Sequence, residues 1–202
     1  MKRILLTAAL LFGTAGVAAA QSIDIDALIA GIDKRSTQYE ALIDILQGTD
    51  GNRSLAAFDA MIETGDATMI EVAVNTGISA TDSRLRARAL WEALSRRDAL
   101  TIEIEVDELA DDRKAAVKEW YGAFQTWSLQ QKFPDSQCIN LSSKSDCYVG
   151  RNLTASGLIV DIVYNAAPGI SGQFELNGSG ELSGTVMDLS SKSTYPARIT
   201  FR

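Results

Sequence analysis

Histidine is absent from all 202 residues. Ser-His-Asp and Cys-His nucleophile systems are therefore excluded, as are ordinary zinc sites that mix His with carboxylate. An enzyme built on this chain has only carboxylates, Lys, Tyr or a Ser–Lys pair to work with. Basic residues are also few, 19 Lys and Arg against 26 Asp and Glu, for a net charge of −7. Phosphate binding needs basic surface, so nucleic acid is not an expected partner, nor is anionic lipid. Cysteine is limited to Cys138 and Cys147. They stand too far apart for a C-x-x-C redox motif, and a pair in an exported chain favours a structural disulfide over free or metal-binding thiols. Its loop is short, which limits the entropic stabilisation to about 2.5–3 kcal/mol. After the first twenty residues no further apolar run reaches the ~18 needed for a membrane span.

Those first twenty residues read as a cleaved secretory signal rather than an anchor. Lys2 and Arg3 open it, Ile4 to Val17 is apolar and small, and Ala18-Ala19-Ala20 precedes Gln21 as a cleavage site. No Cys follows that site, so a lipid anchor is not expected. Removing Lys2 and Arg3 shifts the net charge from −7 to −9. The expected location is periplasmic or secreted.

What the chain has in quantity is helical periodicity. Ile25, Leu28, Ile32, Tyr39, Leu42 and Leu46 mark one face of a long first helix, with Arg35 filling the missing step. Asp24 or Ser22 caps it and Gly48 ends it. The stripe has coiled-coil spacing, but packing against the next helices is the preferred reading. From 50 to 99 the chain nearly repeats in steps of sixteen: Asp50, Asp66, Asp82 and Asp98 fall in register, with Ala57, Ala73, Ala89 and then Phe58, Val74, Leu90 behind the first three. The expected second helix is capped by Ser54 after a turn at 49–53. A third helix over 67–76, apolar on nearly every side, is expected to be the buried member and to end at Gly77. A fourth starts at Thr81 or Asp82, with Leu85, Ala89, Leu90, Ala93 and Leu94 inward. Arg84, Arg86 and Arg88 do not share one face of it. They read as solvated or acid-paired rather than as an anion site.

With its Asp-led turn and helix, as in Asp82-Ser83-Arg84-Leu85-Arg86-Ala87-Arg88-Ala89-Leu90, the stretch 54–97 resembles HEAT-like helical repeats. The resemblance implies a stacked scaffold for protein contacts, without chemistry of its own.

Residues 100–106 alternate Ile102, Ile104 and Val106 with Glu103, Glu105 and Asp107, a strand pattern that also fits the start of a helix. A helix is expected from Asp111 to about Gln131, with Val117, Trp120, Tyr121, Phe124 and Trp127 on one side. Packing of these rings is the preferred reading, and Trp120, Tyr121 and Trp127 are the candidate ligand-contact aromatics. Composition shifts at Pro134, where a domain boundary is expected. Beyond it five strands are expected, at 147–154, 158–164, 172–176, 181–187 and 197–201. The Asn177-Gly178 turn is the clearest hairpin signal, and Gly172, Gly180 and Gly184 mark bulges or close backbone approach.

Chemistry is thin. Glu103, Glu105, Asp107, Glu108, Asp111 and Asp112 form the densest acidic cluster, open to Ca²⁺ if 102–106 is a strand, but a solvated acidic face is preferred. N-x-S/T triplets at Asn52, Asn140, Asn152 and Asn177 are short patterns expected by chance.

The expectation is an α+β protein: a signal at 1–20, a helical-repeat-like stack over 21–134, and an antiparallel β-meander over 135–202 with the disulfide at its start. Its expected role is a non-enzymatic protein–protein interaction module binding another envelope protein, with no cofactor and no metal. The alternatives are a carbohydrate or small-ligand binder using Trp120, Tyr121 and Trp127 or Tyr164 and Tyr195, and a carboxylate-dependent hydrolase.

Overall fold

The computed structural model describes residues 24–167 and 169–199. The expected signal at 1–20 and the end of the last expected strand lie outside the described residues. Five helices and nine strands follow one another: α1 Ile25–Leu46, α2 Gly51–Glu63, α3 Ala67–Ile78, α4 Ser83–Ser95, β1 Ala99–Ile104, α5 Asp111–Trp120, β2 Phe124–Ser128, β3 Lys132–Phe133, β4 Cys138–Asn140, β5 Arg151–Ser156, β6 Ile159–Tyr164, β7 Ile170–Leu176, β8 Leu182–Asp188 and β9 Thr194–Ile199. The fold is α+β, helices first and then an antiparallel meander. Among the described residues no helix is long and apolar enough to cross a membrane. The chain divides into two compact units between Ser36 and Thr37. Of the first, residues 24–36 are described. They form the opening turns of α1, where the Asp24 carboxylate accepts from the Ala27 N–H at 3.1 Å. The rest of the fold belongs to the second unit.

The sixteen-residue register is a register of helix caps. Asp50 accepts from the N–H groups of Asn52 and Arg53, Asp66 from Met69, and Asp82 from Arg84 and Leu85. Each carboxylate satisfies donors that the first turn leaves without an intrahelical partner. Asp50 thus replaces the expected cap Ser54, which lies inside α2. Ser54 is buried, and its hydroxyl donates to the carbonyls of Ile45 and Asp50. The series stops at Asp98, which leads into β1 and whose carbonyl accepts from the Leu129 N–H at 2.8 Å.

α2, α3 and α4 pack on one another. Gly77 is inside α3 instead of ending it. A β-carbon there would lie 2.8 Å from Ala89 Cβ on α4 and 3.2 Å from the Phe58 ring on α2. Three helices therefore meet at one small residue, and α2 also reaches α4 through Arg88 Nε on Asp59 at 3.1 Å. Contact between α2 and α4 across α3 fits stacked helical hairpins, in which α4 belongs to the unit next to α2–α3. The buried member is α4, not α3: Leu85, Ala89, Leu90, Trp91, Ala93 and Leu94 are all buried. α4 is central because helices cover one side of it and the β-sheet the other. α3 buries Ala73, Gly77 and Ile78 but leaves Ile70 and Val74 only half-covered.

The helix expected over 111–131 stops at Trp120. The N–H groups of Tyr121 and Gly122 both turn back onto the Val117 carbonyl, and Gly122 adopts φ +81°, a left-handed conformation that suits glycine at a helix end. The chain then becomes β2, which pairs with β1 in the register Leu100↔Trp127 and Ile102↔Gln125. β1 settles the ambiguous stretch as strand, with Leu100, Ile102 and Ile104 buried. The five expected strands are present as β5–β9, although residues 147–150 precede β5 and are not strand. Nine strands make one sheet in the order β2-β1-β9-β8-β7-β6-β5-β4-β3. This sheet runs across Pro134, since β1 pairs with β9 through Ile102↔Ile199. The helical and β parts do not separate at that proline. Curvature brings Trp127 on β2 within 4.3 Å of Tyr164 on β6, centroid to centroid. Glycine permits the bend: a β-carbon on Gly184 would strike the Gln173 carbonyl, and one on Gly172 would lie 2.9 Å from the Phe174 ring.

The three arginines of α4 have separate fates. Arg84 pairs with Asp82 and Asn52, and Arg88 with Asp59 and Glu92. Arg86 instead donates to the carbonyls of Ile78, Leu176 and Asn177, fastening α4 to the end of α3 and to the β7–β8 turn. Gly77→Val is expected to lower unfolding free energy by about 2–3 kcal/mol through overpacking, and Asp66→Ala by about 1 kcal/mol through loss of a cap. Denaturant titration checks both; an unchanged midpoint for Gly77→Val would mean that the helices have slack where they meet.

Candidate functional site

The half-covered side of α3 faces a groove. Ala67, Ile70, Val74 and Ile78 recur at helical spacing along α3, and Ala93 with the last turn of α4 forms the opposite wall. The hollow has a volume of about 460 Å³. Its floor is aliphatic. Glu71 stands on one rim, and Glu92, Arg96 and Arg97 on the other. Glu92 is buried and is held by Arg88 at 3.6 Å and Arg96 at 3.0 Å, so its charge is matched within α4. Arg96 is exposed beyond that pairing. Burial pushes the Arg97 guanidinium below its usual range. The groove thus offers apolar area with a rim that carries charges of both signs.

The candidate aromatics do not line a helix face. Trp120 and Tyr121 end α5 and Trp127 lies on β2, yet the fold gathers them. Trp120 stacks on Tyr121 at 4.8 Å and on Tyr195 at 5.8 Å, Tyr121 stacks on Trp127 at 6.2 Å, and Trp127 meets Tyr164 edge-on. Arg113 covers the Tyr195 ring and Arg151 the Tyr164 ring. Trp127 Nε1 donates to the Tyr121 hydroxyl at 2.8 Å. Tyr121 and Tyr195 are buried, and the other three rings are half-buried. These rings spend their faces on each other and on two guanidinium groups. Phe124, which shared their expected helix face, is 64% exposed.

Of the six residues in the acidic cluster, Glu103, Glu105, Asp107 and Glu108 line one hollow of about 400 Å³ together with Arg198. Glu103 is held by Arg198 through two bonds of 2.8 and 2.9 Å, β1 ends at Ile104, and Asp107 falls in the turn beyond it. Among the described residues no group of three or more potential ligands gathers as a metal site. The Cys138–Cys147 disulfide is formed, with Cα atoms 6.1 Å apart. Its loop is wrapped around Asn140, whose amide donates to the carbonyls of Lys144 and Asp146 and accepts from the Tyr148 N–H. The triplets at Asn140 and Asn152 therefore have buried side chains.

Two organising groups went unnoticed in the sequence. Arg86 carries no local signal, because two of its three acceptors, the carbonyls of Leu176 and Asn177, are about ninety residues away. Asp188 does carry one: an Asp ahead of Leu-Ser-Ser is a turn signature. Burial pushes the Asp188 carboxyl upward, but hydrogen bonds from Ser191 and Ser190 outweigh it and hold the group below its ordinary value.

No protein-family model, no curated protein and no solved structure matches this chain. The likeness of 54–97 to HEAT-like repeats therefore rests on its own residue pattern.

Burial pushes the Tyr121 hydroxyl well above its ordinary ionisation range, with the Trp127 hydrogen bond opposing this. A raised acid is stable neutral in the fold. Its contribution is thus complete below the unfolded value near pH 10 and is lost as pH rises beyond it. Spectrophotometric titration should show one of the five tyrosines ionising only as the protein unfolds in alkali, and Tyr121→Phe should remove that step.

Proposed function

We propose that this chain is an exported, non-enzymatic module that binds another protein of the cell envelope, and that the α3–α4 groove is the binding surface. The observation that supports the reading is the groove itself: an aliphatic stripe at helical spacing, left half-covered because α4 and not α3 took the central place, with Arg96 and Arg97 on its rim. Helix-in-groove recognition uses this combination, with anchors at i, i+3 or i+4 and i+7 entering the apolar floor. Export is supported by the signal-like start of the sequence and by the disulfide, which persists in oxidising compartments.

A photo-crosslinking residue placed at Val74 is expected to trap one partner in envelope extract, while the same residue at exposed Gln173 on β7 does not. Ile70→Glu, at a half-covered position where stability should change little, is expected to weaken capture at least tenfold. Equal labelling from both positions, no labelling at 74, or turnover of a hydrolase substrate panel would sink the reading.

A further inference from the structure

We propose that the first turns of α1 pair antiparallel with the same turns of a second copy of this chain, about a two-fold axis that crosses the seam at the level of residue 30. Four large aliphatic residues crowd one side of these turns in the open: Ile25 is 65% exposed, Leu28 50%, Ile29 50% and Ile32 52%. Scattered surface aliphatics need no explanation, but a contiguous stripe does. Its spacing is regular. Positions 25, 28, 32, 35, 39, 42 and 46 alternate steps of three and four along the whole helix, the signature of a seam that meets another helix. Leu42 and Leu46, at the far end, are covered within their own chain. At the near end Ile25, Leu28, Ile29 and Ile32 are exposed.

Charge placement identifies the occupant and its direction. Asp26, Asp33 and Lys34 fall on the side away from the seam, and the seam's flanks carry Ile29, Gly31 and Ser36. Two copies can therefore approach without bringing like charges together. The one charge in the seam is Arg35. In a parallel pair it would face Arg35 of the second copy, two cations in a desolvated layer. In an antiparallel pair centred near residue 30, Leu28 of each copy meets Ile32 of the other, and Arg35 falls level with Ile25 beside Asp24 of the second copy. Symmetry supplies this ion pair twice, as an isologous interface requires. The seam is short, so the association is weak, with a dissociation constant of about 10–100 μM.

Sedimentation equilibrium of the purified protein from about 5 to 500 μM tests this. Wild type is expected to pass from monomer to dimer and Ile32→Asp to remain monomeric. Asp24→Lys and Arg35→Glu should each weaken the dimer about tenfold, and the double variant should recover to within about threefold of wild type. All three positions are exposed, so Ile32→Asp and Arg35→Glu should keep the wild-type circular dichroism and melting curve; Asp24→Lys also gives up the cap on the Ala27 N–H and should fray the first turn, and recovery of pairing in the double variant separates the lost ion pair from the lost cap. A wild type that stays monomeric at the top concentration, or a double variant no tighter than the singles, overturns the proposal. Disulfide cross-linking of Arg35→Cys homodimers would instead show the parallel arrangement and also overturn it.

Discussion

The approach of α2, α3 and α4 at Gly77 is the constraint on which the helical part of the molecule depends. Helix axes come this close only where side chains are small, and here a hydrogen of Gly77 faces the methyl of Ala89 and the edge of the Phe58 ring. Of the small residues in the sixteen-step register, Ala89 makes that contact. Once the three helices close around it, one of them must lie between the others and the sheet, and α4 has that place. α3 is then left on the outside with more apolar surface than its neighbours can cover. The groove lined by Ile70 and Val74 is the remainder of that packing, and it borders the tightest contact, since Ile70 and Gly77, seven residues apart, share one side of α3.

Polar side chains make the joints between parts. Arg86 reaches from α4 to carbonyls on α3 and on the β7–β8 turn, Asn140 fills the inside of the disulfide loop, and Asp188 gathers the N–H and hydroxyl groups of the turn after β8. Each of the three is held by at least two bonds. Polar groups removed from water must be satisfied by the protein, and such groups specify position more narrowly than apolar contact does, because they tolerate little displacement.

How much was legible in the sequence varied with the range of the interaction. The Asp register, the first helix, the last five strands, the glycine close approaches and the disulfide all rest on neighbours within a few residues or on one simple pairing, and all are present. The helix expected over 111–131 failed because Trp120, Tyr121, Phe124 and Trp127 satisfy a helical spacing and, from 124 onward, also satisfy a strand that has a partner. That partner is β1, some twenty residues earlier. The boundary expected at Pro134 failed for the same reason: the composition does change there, but β1 and β2 on one side pair into a sheet with strands from the other. For the candidate site, the apolar residues of α3 were visible in the sequence, but the sequence suggested that they would be buried.

By itself the sequence determined where helices start, because an Asp carboxylate caps the N–H groups of its own first turn wherever the rest of the chain goes. It also determined that the final third is an antiparallel meander, because short turns leave neighbouring strands no other partner. Which helix lies inside, which apolar stripe stays open, and that residues 99–104 join residues 194–199 in one sheet were decided only in three dimensions. Those outcomes depend on competition for the same buried surface among segments distant in the chain, and local preference does not rank the competitors.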